Sequence, residues 1–98
     1  MSLFKLGTTV MTEGIRSRME LDPKFAEFVS RSLTRHSSGD WGDLCEDDRK
    51  MNDSALKAEQ NGEPTDQLFS SYVNGTDKIW IITEWNRSAT TILLPEEY

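Results

Sequence analysis

The sequence predicts an α+β fold, a two-layer arrangement of helices packed on one face of a mainly antiparallel four-stranded sheet, in the order β-α-α-β-β-β. Apolar residues recur at helical spacing in the middle of the chain, whereas the last third is rich in β-branched and aromatic residues separated by turn-like segments. Helices on one side of such a sheet bury both apolar sets. A chain of 98 residues fills one core, so residues 1–98 are predicted to form a single domain.

The first elements are a strand and a short helix. A period-two pattern at the start predicts a half-buried strand, with one face formed by Phe4, Leu6, Thr8 and Val10. After Gly14, residues 15–21 are long enough for two helical turns. The sequence therefore predicts a strand followed by a short helix at the start of the chain.

The longer helix begins at Asp22-Pro23, because aspartate accepts free amide hydrogens and proline suits the first helical position. Gly39 ends it. A further helix is predicted to open with a capping-box variant, Asp43 and Glu46, with a break near Asp48. Its expected inward positions are Leu44, Met51, Ala55 and Leu56.

The last third predicts a three-stranded antiparallel meander over residues 67–73, 78–84 and 89–94. The middle segment is apolar on both of its faces, which predicts a strand in the interior of the sheet. Trp80 and Trp85, with Tyr72, are candidates for an exposed aromatic patch that contacts a protein partner. Core packing is the simpler explanation for at least two of the three.

Charge is concentrated in one segment. The chain has 17 acidic and 11 basic residues, a net charge of −6. Residues 40–66 hold nine acidic and three basic residues, so the rest of the chain is neutral. This segment supplies the candidate binding residues: Asp40, Trp41, Asp43, Glu46, Asp47, Asp48 and Asp53. An acidic surface favours a basic protein partner and disfavours direct binding of nucleic acid.

Several classes of protein do not fit the sequence. No apolar run is long enough to span a bilayer, and the start lacks the pattern of an export signal, so we expect neither membrane insertion nor secretion. Cys45 is the single cysteine and therefore has no disulfide partner in the chain, which suits the cytoplasm. Fingerprints of phosphate and dinucleotide binding are absent, and no cofactor is expected.

His36, Asp40 and Asp43 form the sharpest chemical pattern, because imidazole and carboxylate groups can bind a divalent metal or transfer protons. They define one alternative, a metal-dependent hydrolase or nucleotide-processing enzyme. The structural interpretation is that both aspartates cap backbone, that Trp41 fills the gap between helix ends, and that His36 carries a charge favoured at a helix C-terminus.

Three blocks of sequence carry a resemblance to a known family: Gly39–Leu44, Ile79–Glu84 and Arg87–Tyr98. In these blocks the chain resembles a family of small uncharacterised bacterial proteins found on plasmids, phages and other mobile elements. Members are often labelled plasmid-related or type I restriction methylase subunits. The chain has neither the glycine-rich loop nor the Asn-Pro-Pro-Tyr-like motif of a methyltransferase, and residues 58–66 and 85–86 depart from the family pattern.

The leading hypothesis is a small, acidic, non-enzymatic protein of a mobile element that binds a macromolecule. The resemblance implies a partner such as a host defence nuclease of the restriction or CRISPR kind, and the acidic segment suggests mimicry of nucleic acid. A third hypothesis is a small-ligand-sequestering oligomer with a pocket lined by Trp41 or Trp80. The sequence is compatible with a monomer or a small homo-oligomer.

Overall fold

A computed structural model describes residues 2–98, and it has the α+β fold predicted from the sequence. The strands are β1 (Thr8–Met11), β2 (Leu68–Asn74), β3 (Asp77–Thr83) and β4 (Ala89–Leu93). The helices are α1 (Glu13–Leu21), α2 (Pro23–Ser37) and α3 (Glu46–Gln60), followed after β4 by a 3-10 helix (Pro95–Glu97). Within residues 2–98, no helix is both long enough and apolar enough to cross a membrane.

The element order is β-α-α-α-β-β-β, because the short helix predicted over residues 15–21 is present as α1, although the predicted order β-α-α-β-β-β did not count it. Residues 13–21 form a helix of their own because Asp22 adopts an extended conformation, with φ −138°, and Pro23 cannot continue α1. The same aspartate begins α2, since its Oδ1 accepts a hydrogen bond from the amide of Lys24 at 3.0 Å. This confirms the predicted start of α2.

The four strands form one sheet in the order β1-β4-β3-β2. The predicted meander is confirmed, because β2 pairs antiparallel with β3 and β3 pairs antiparallel with β4. As predicted, β3 lies in the interior of the sheet. β1 is an edge strand that pairs parallel with β4.

The N-terminal strand is shorter and more exposed than predicted. It begins at Thr8, and all four of its residues are exposed. Gly7 explains the late start, because it has φ +67° and a Cβ atom there would lie 2.4 Å from the backbone of Ser88. Phe4, which was expected in the strand, is buried before it.

Two apolar clusters stabilise the helix-covered side of the sheet. The larger joins α1 and α2 to the sheet through Ile15, Phe25, Phe28, Val29, Tyr72, Ile79, Ile81 and Ile92. The smaller joins α3 to β2 and to the N-terminal segment through Phe4, Trp41, Ala55, Leu56 and Leu68. α3 therefore lies at the β2 end of the sheet.

The predicted capping box at Asp43 and Glu46 is wrong. The N-cap of α3 is Cys45, whose side chain makes no capping hydrogen bond. Asp43 is engaged elsewhere, because its amide donates to the carbonyl of Ser71 at 2.7 Å, and the amide of Ser71 donates to the carbonyl of Trp41 at 3.2 Å. Residues 41–43 thus lie beside β2 through an isolated parallel bridge between Gly42 and Ser71, and α3 starts only after this contact.

The outer edge of β2 is also covered by one side chain of α3. Asn52 Nδ2 donates to the carbonyl of Phe69 at 2.6 Å, and its Oδ1 accepts from the amide of Phe69 at 3.1 Å. Asn52 is 4% exposed, whereas Met51, the predicted inward position, is 64% exposed. The predicted break near Asp48 is absent, and α3 is continuous.

Replacing Asn52 with alanine is expected to lower the free energy of unfolding by about 1.5 kcal/mol, because the amide and carbonyl of Phe69 lose their partners. Urea denaturation followed by circular dichroism measures the change. Asn52→Asp tests the donor separately: the carboxylate still accepts from the amide of Phe69, but its second oxygen faces the carbonyl of Phe69, so this variant is expected to be at least as destabilised as the alanine variant. An alanine variant as stable as the parent would contradict this role.

The two ends of the described chain meet at the N-terminus of α1. The Glu97 carboxylate accepts hydrogen bonds from the hydroxyl of Thr12 and from the amide of Gly14, the latter at 2.9 Å. Thr90 of β4 donates its hydroxyl to the carbonyl of Leu6 at 2.7 Å. The first helix and strand are thus held by residues that lie more than 80 positions later in the chain.

Candidate binding site

His36 lies in a buried row of hydrogen-bonded polar groups. Its Nδ1 is 2.5 Å from the hydroxyl of Ser70, and its Nε2 is 2.9 Å from the hydroxyl of Thr83. The hydroxyl oxygens of Thr83 and Thr90 are 2.8 Å apart and share a hydrogen bond. The Thr90 hydroxyl donates its own hydrogen to the carbonyl of Leu6. Thr83 must therefore donate to Thr90 and accept from His36, so Nε2 carries the proton and Nδ1 accepts from Ser70.

This environment keeps His36 neutral. Burial, and secondly the positive charge of Arg87, lower its pKa from 6.5 to about 3. The interpretation of His36 as a charged residue favoured by a helix C-terminus is therefore wrong. The ring is instead part of the core, where it packs edge-on against Phe4 and Trp41.

The candidate metal residues do not converge. Both imidazole nitrogens of His36 are occupied by hydroxyl groups, and the Asp40 carboxylate pairs with Arg35 Nε at 2.7 Å and Nη2 at 3.2 Å. The Arg35 pairing lowers the pKa of Asp40. No group of three or more His, Cys, Asp or Glu residues able to hold a metal ion occurs among residues 2–98. The geometry gives the metal-dependent enzyme no support.

Three of the predicted binding residues have internal partners. Asp40 also caps the turn by accepting from the amide of Gly42 at 3.1 Å, as the structural interpretation expected. Trp41 is 4% exposed and fills the space beside Phe4, and its Nε1 donates to Asp53 at 3.0 Å. Asp40, Trp41 and Asp53 therefore stabilise the junction between α2 and α3.

The remaining predicted residues stay at the surface. They are Asp43, Glu46, Asp47 and Asp48. Glu46 lies 3.6 Å from Lys50, an exposed pair that contributes little. The concentrated charge seen in the sequence is thus divided into three parts. Asp40, Asp53 and Glu59 bind Arg35, Trp41 and Arg87, three carboxylates form the acidic first turn of α3, and three lie in the loops on either side of α3.

The face of the sheet opposite α1 and α2, here called the open face, carries a row of aromatic rings. Phe69 and Trp80 have ring centroids 5.2 Å apart, and Trp80 and Tyr98 have centroids 5.7 Å apart, both edge-to-face. Phe69 and Trp80 are half-buried, and Tyr98 is 80% exposed. We call these three residues the aromatic row. Of the three aromatic residues considered from the sequence, Tyr72 is buried and Trp85 is 63% exposed outside the row.

Carboxylates border the aromatic row. Asp48 lines a depression of about 260 Å³ together with Phe69, Trp80 and Tyr98. Glu84 and Glu97 line the adjoining depression of about 320 Å³, and Asp66 lines a third, of about 190 Å³, with Asp48. We call Asp48, Asp66, Glu84 and Glu97 the acidic rim. Of the predicted binding residues, Asp48 is the one that the structure places at the row.

Sequence reasoning missed Phe69, Ile82 and Tyr98 as site residues. The available signal was strand alternation: Phe69 pairs with Ile82, and Trp80 with Leu93, so these residues share one face. The helices α1 and α2 pack against the other face and α3 packs at its β2 end, so this face is covered only in part, by the residues that follow β4. The pairing register was needed before the alternation could be assigned to a covered or an open face.

Comparison with known protein families, with curated proteins and with solved structures found no match to this chain. The resemblance to mobile-element proteins therefore stays a prediction. The function of the chain has to be inferred from its own geometry, above all from the open face and its acidic rim.

Proposed function

We propose that the chain is a non-enzymatic protein that binds a basic macromolecular partner through the open face. The aromatic row beside the acidic rim is the observation that carries this proposal. Aromatic side chains dominate binding energy at protein interfaces, whereas rim charges steer association and select the partner. A sheet face with both features is suited to a partner that presents cations around an apolar contact.

The distribution of charge supports a basic partner. The acidic first turn of α3 adjoins the open face through Asp48, and Asp47 lies beside it on the same turn. Arginine and lysine side chains close to these carboxylates gain favourable interaction at low ionic strength. Polyanions such as nucleic acid are repelled, so the partner is a protein.

Proteins with basic surfaces include those that bind nucleic acid, because phosphate contacts require lysine and arginine. We therefore propose a nucleic-acid-binding partner, and specifically a defence nuclease whose phosphate-binding groove would receive the acidic turn. The sequence resemblance to proteins of mobile elements supports this choice. Cys45 is an exposed free thiol, which suits a reducing cytoplasm where such a nuclease acts.

A capture experiment tests the proposed function. The immobilised chain is incubated at low and at high salt with bacterial lysate from which nucleic acid has been removed, and bound proteins are identified by mass spectrometry. We expect nucleic-acid-binding proteins that are released by salt. Trp80→Ala is expected to weaken reconstituted binding by about thirtyfold, the effect of removing an aromatic anchor, and Asp47→Asn with Asp48→Asn to slow association.

The matched control is Glu20→Gln with Glu27→Gln, which removes the same charge from exposed positions on α1 and α2. This variant should bind like the parent. Tyr98→Ala provides an aromatic truncation at an exposed position, so a folding defect in the Trp80 variant would not obscure the result. Partners that bind Trp80→Ala and Tyr98→Ala as well as they bind the parent would refute the proposed function.

A further inference from the structure

Four adjoining depressions, each sharing lining residues with the next, form a groove from α3 across the open face. The largest, about 540 Å³, lies between α3 and the loop that follows it, and it shares Met51 and Asp66 with the depression of about 190 Å³. That depression shares Asp48, Gln67 and Phe69 with the one under the aromatic row, which in turn shares Ile82 and Tyr98 with the last. The groove therefore runs from α3 past β2 and β3 to β4.

The lining of the groove combines apolar and acidic side chains. Its larger apolar side chains are Met51, Pro64, Phe69, Trp80, Ile82 and Leu93. The carboxylates of the acidic rim are spread along its length, with Glu97 already bonded to Thr12 and Gly14, and among the described residues Lys50, at the α3 end, is the one cation that lines it. An occupant complementary to this lining has to offer both apolar and positively charged groups.

The path of the groove sets the length of its occupant. Crossing from β2 to β4 covers two strand spacings, roughly 10 Å, and the distance from α3 to the sheet adds roughly as much. An extended chain advances about 3.3 Å per residue, so the groove matches about six residues. Side chains of an extended segment alternate between two directions, which places apolar groups on the floor and basic groups toward the rim.

Addition of a strand to the β2 edge is a different mode of binding, and the structure opposes it. The backbone groups of Phe69 on that edge are bonded to Asn52, and those of Ser71 are bonded to residues 41 and 43. The groove crosses the strands instead of following one. Its contacts are therefore made by side chains, and selectivity depends on the order of residues in the bound segment.

We propose that the groove binds an extended segment of about six residues in which lysine or arginine alternates with large apolar residues. This inference rests on the proposed function and specifies the part of the partner that is recognised. Asp48 and Asp66 pair with cations at the β2 end, Glu84 pairs with a cation at the β4 end, and the aromatic row holds the central apolar side chain.

Fluorescence anisotropy with labelled hexapeptides tests the inference. One peptide alternates lysine or arginine with leucine or phenylalanine, and a second has the same composition with all cations in one block. We expect the alternating peptide to bind at least about tenfold more tightly. Trp80→Ala, Tyr98→Ala and the pair Asp48→Asn with Glu84→Gln should each weaken it by a similar factor, whereas Glu20→Gln with Glu27→Gln should leave it unchanged.

Equal affinity for the two peptides, or affinity that is unaffected by Trp80→Ala and Tyr98→Ala, would overturn the inference. The outcome is separable from that of the proposed function. If the peptides fail but a captured protein still depends on Trp80 and Tyr98, the extended segment is wrong and the protein-binding function stands. If the captured protein also binds Trp80→Ala and Tyr98→Ala as well as it binds the parent, the proposed function is wrong too.

Discussion

Replacing Arg87 with alanine is expected to lower the free energy of unfolding by about 3 kcal/mol, because Glu59, whose side chain is 32% exposed, and two backbone carbonyls lose their donor. Arg87 is 6% exposed, and its Nε donates to Glu59 at 2.8 Å. Its other nitrogens donate to the carbonyls of Asp66 and Glu84 and to the hydroxyl of Thr65 at 2.9–3.2 Å. One guanidinium therefore joins the end of α3, the loop after it and the turn between β3 and β4.

Urea denaturation followed by circular dichroism measures the loss, and two variants separate its causes. Arg87→Lys keeps the charge but lacks the planar set of donors, so most of the loss should remain. Arg87 also has φ +58°, a left-handed conformation that costs a residue with a Cβ atom about 1 kcal/mol. Arg87→Gly should therefore be more stable than Arg87→Ala. An alanine variant within experimental error of the parent would contradict the role of this residue.

Acidification is expected to destabilise the fold through His36. Its pKa is lowered to about 3 in the folded chain against 6.5 when unfolded, so the unfolded state binds the proton first. The stability that depends on neutral His36 is complete above pH 6.5 and is lost as the pH falls toward 3. Each pKa unit corresponds to 1.36 kcal/mol, so the loss at pH 5 is about 2 kcal/mol.

The His36→Gln variant isolates this effect. Glutamine offers one acceptor and one donor, as the neutral ring does with Ser70 and Thr83, but it does not titrate. Urea denaturation at intervals from pH 7 to pH 4.5 should give a falling stability for the parent and a flatter curve for the variant. The lowered carboxylate pKa values of Asp40 and Glu97 affect stability only near the acid end of this range, and they affect parent and variant equally. Parallel curves would show that His36 is not the responsible group.

The fold was predictable where local signals agreed with tertiary contacts. The helix α2 could be predicted from Asp22, Pro23 and the helical spacing of its apolar residues. The interior position of β3 could be predicted because both of its faces are apolar. The start of α3 was not predictable. The Asp43-Glu46 pattern favours a helix that begins at Asp43, but hydrogen bonds between residues 41–43 and β2 prevent it. Residues 43 and 71 are far apart in the sequence, so local sequence patterns cannot predict their contact.

The candidate site was predictable in character but not in position. Composition located the negative charge between residues 40 and 66, yet it could not show which carboxylates have internal partners. Asp40 and Asp53 resemble Asp47 and Asp48 in sequence, but only the first two bind Arg35 and Trp41. The open face was hidden for a similar reason, since Tyr98 joins Trp80 only after the 3-10 helix brings the end of the chain across the sheet.

The contact between Glu97 and the start of α1 can form only after residue 97 has been synthesised. A ribosome completes residues 2–22 long before it adds Ala89–Leu93, the pairing partner of β1, and Glu97, which binds Thr12 and Gly14. The emerging N-terminal segment therefore lacks these native neighbours until β4 and Glu97 have been synthesised. Until then it is exposed to chaperones and proteases, because its stabilising contacts are distant in sequence.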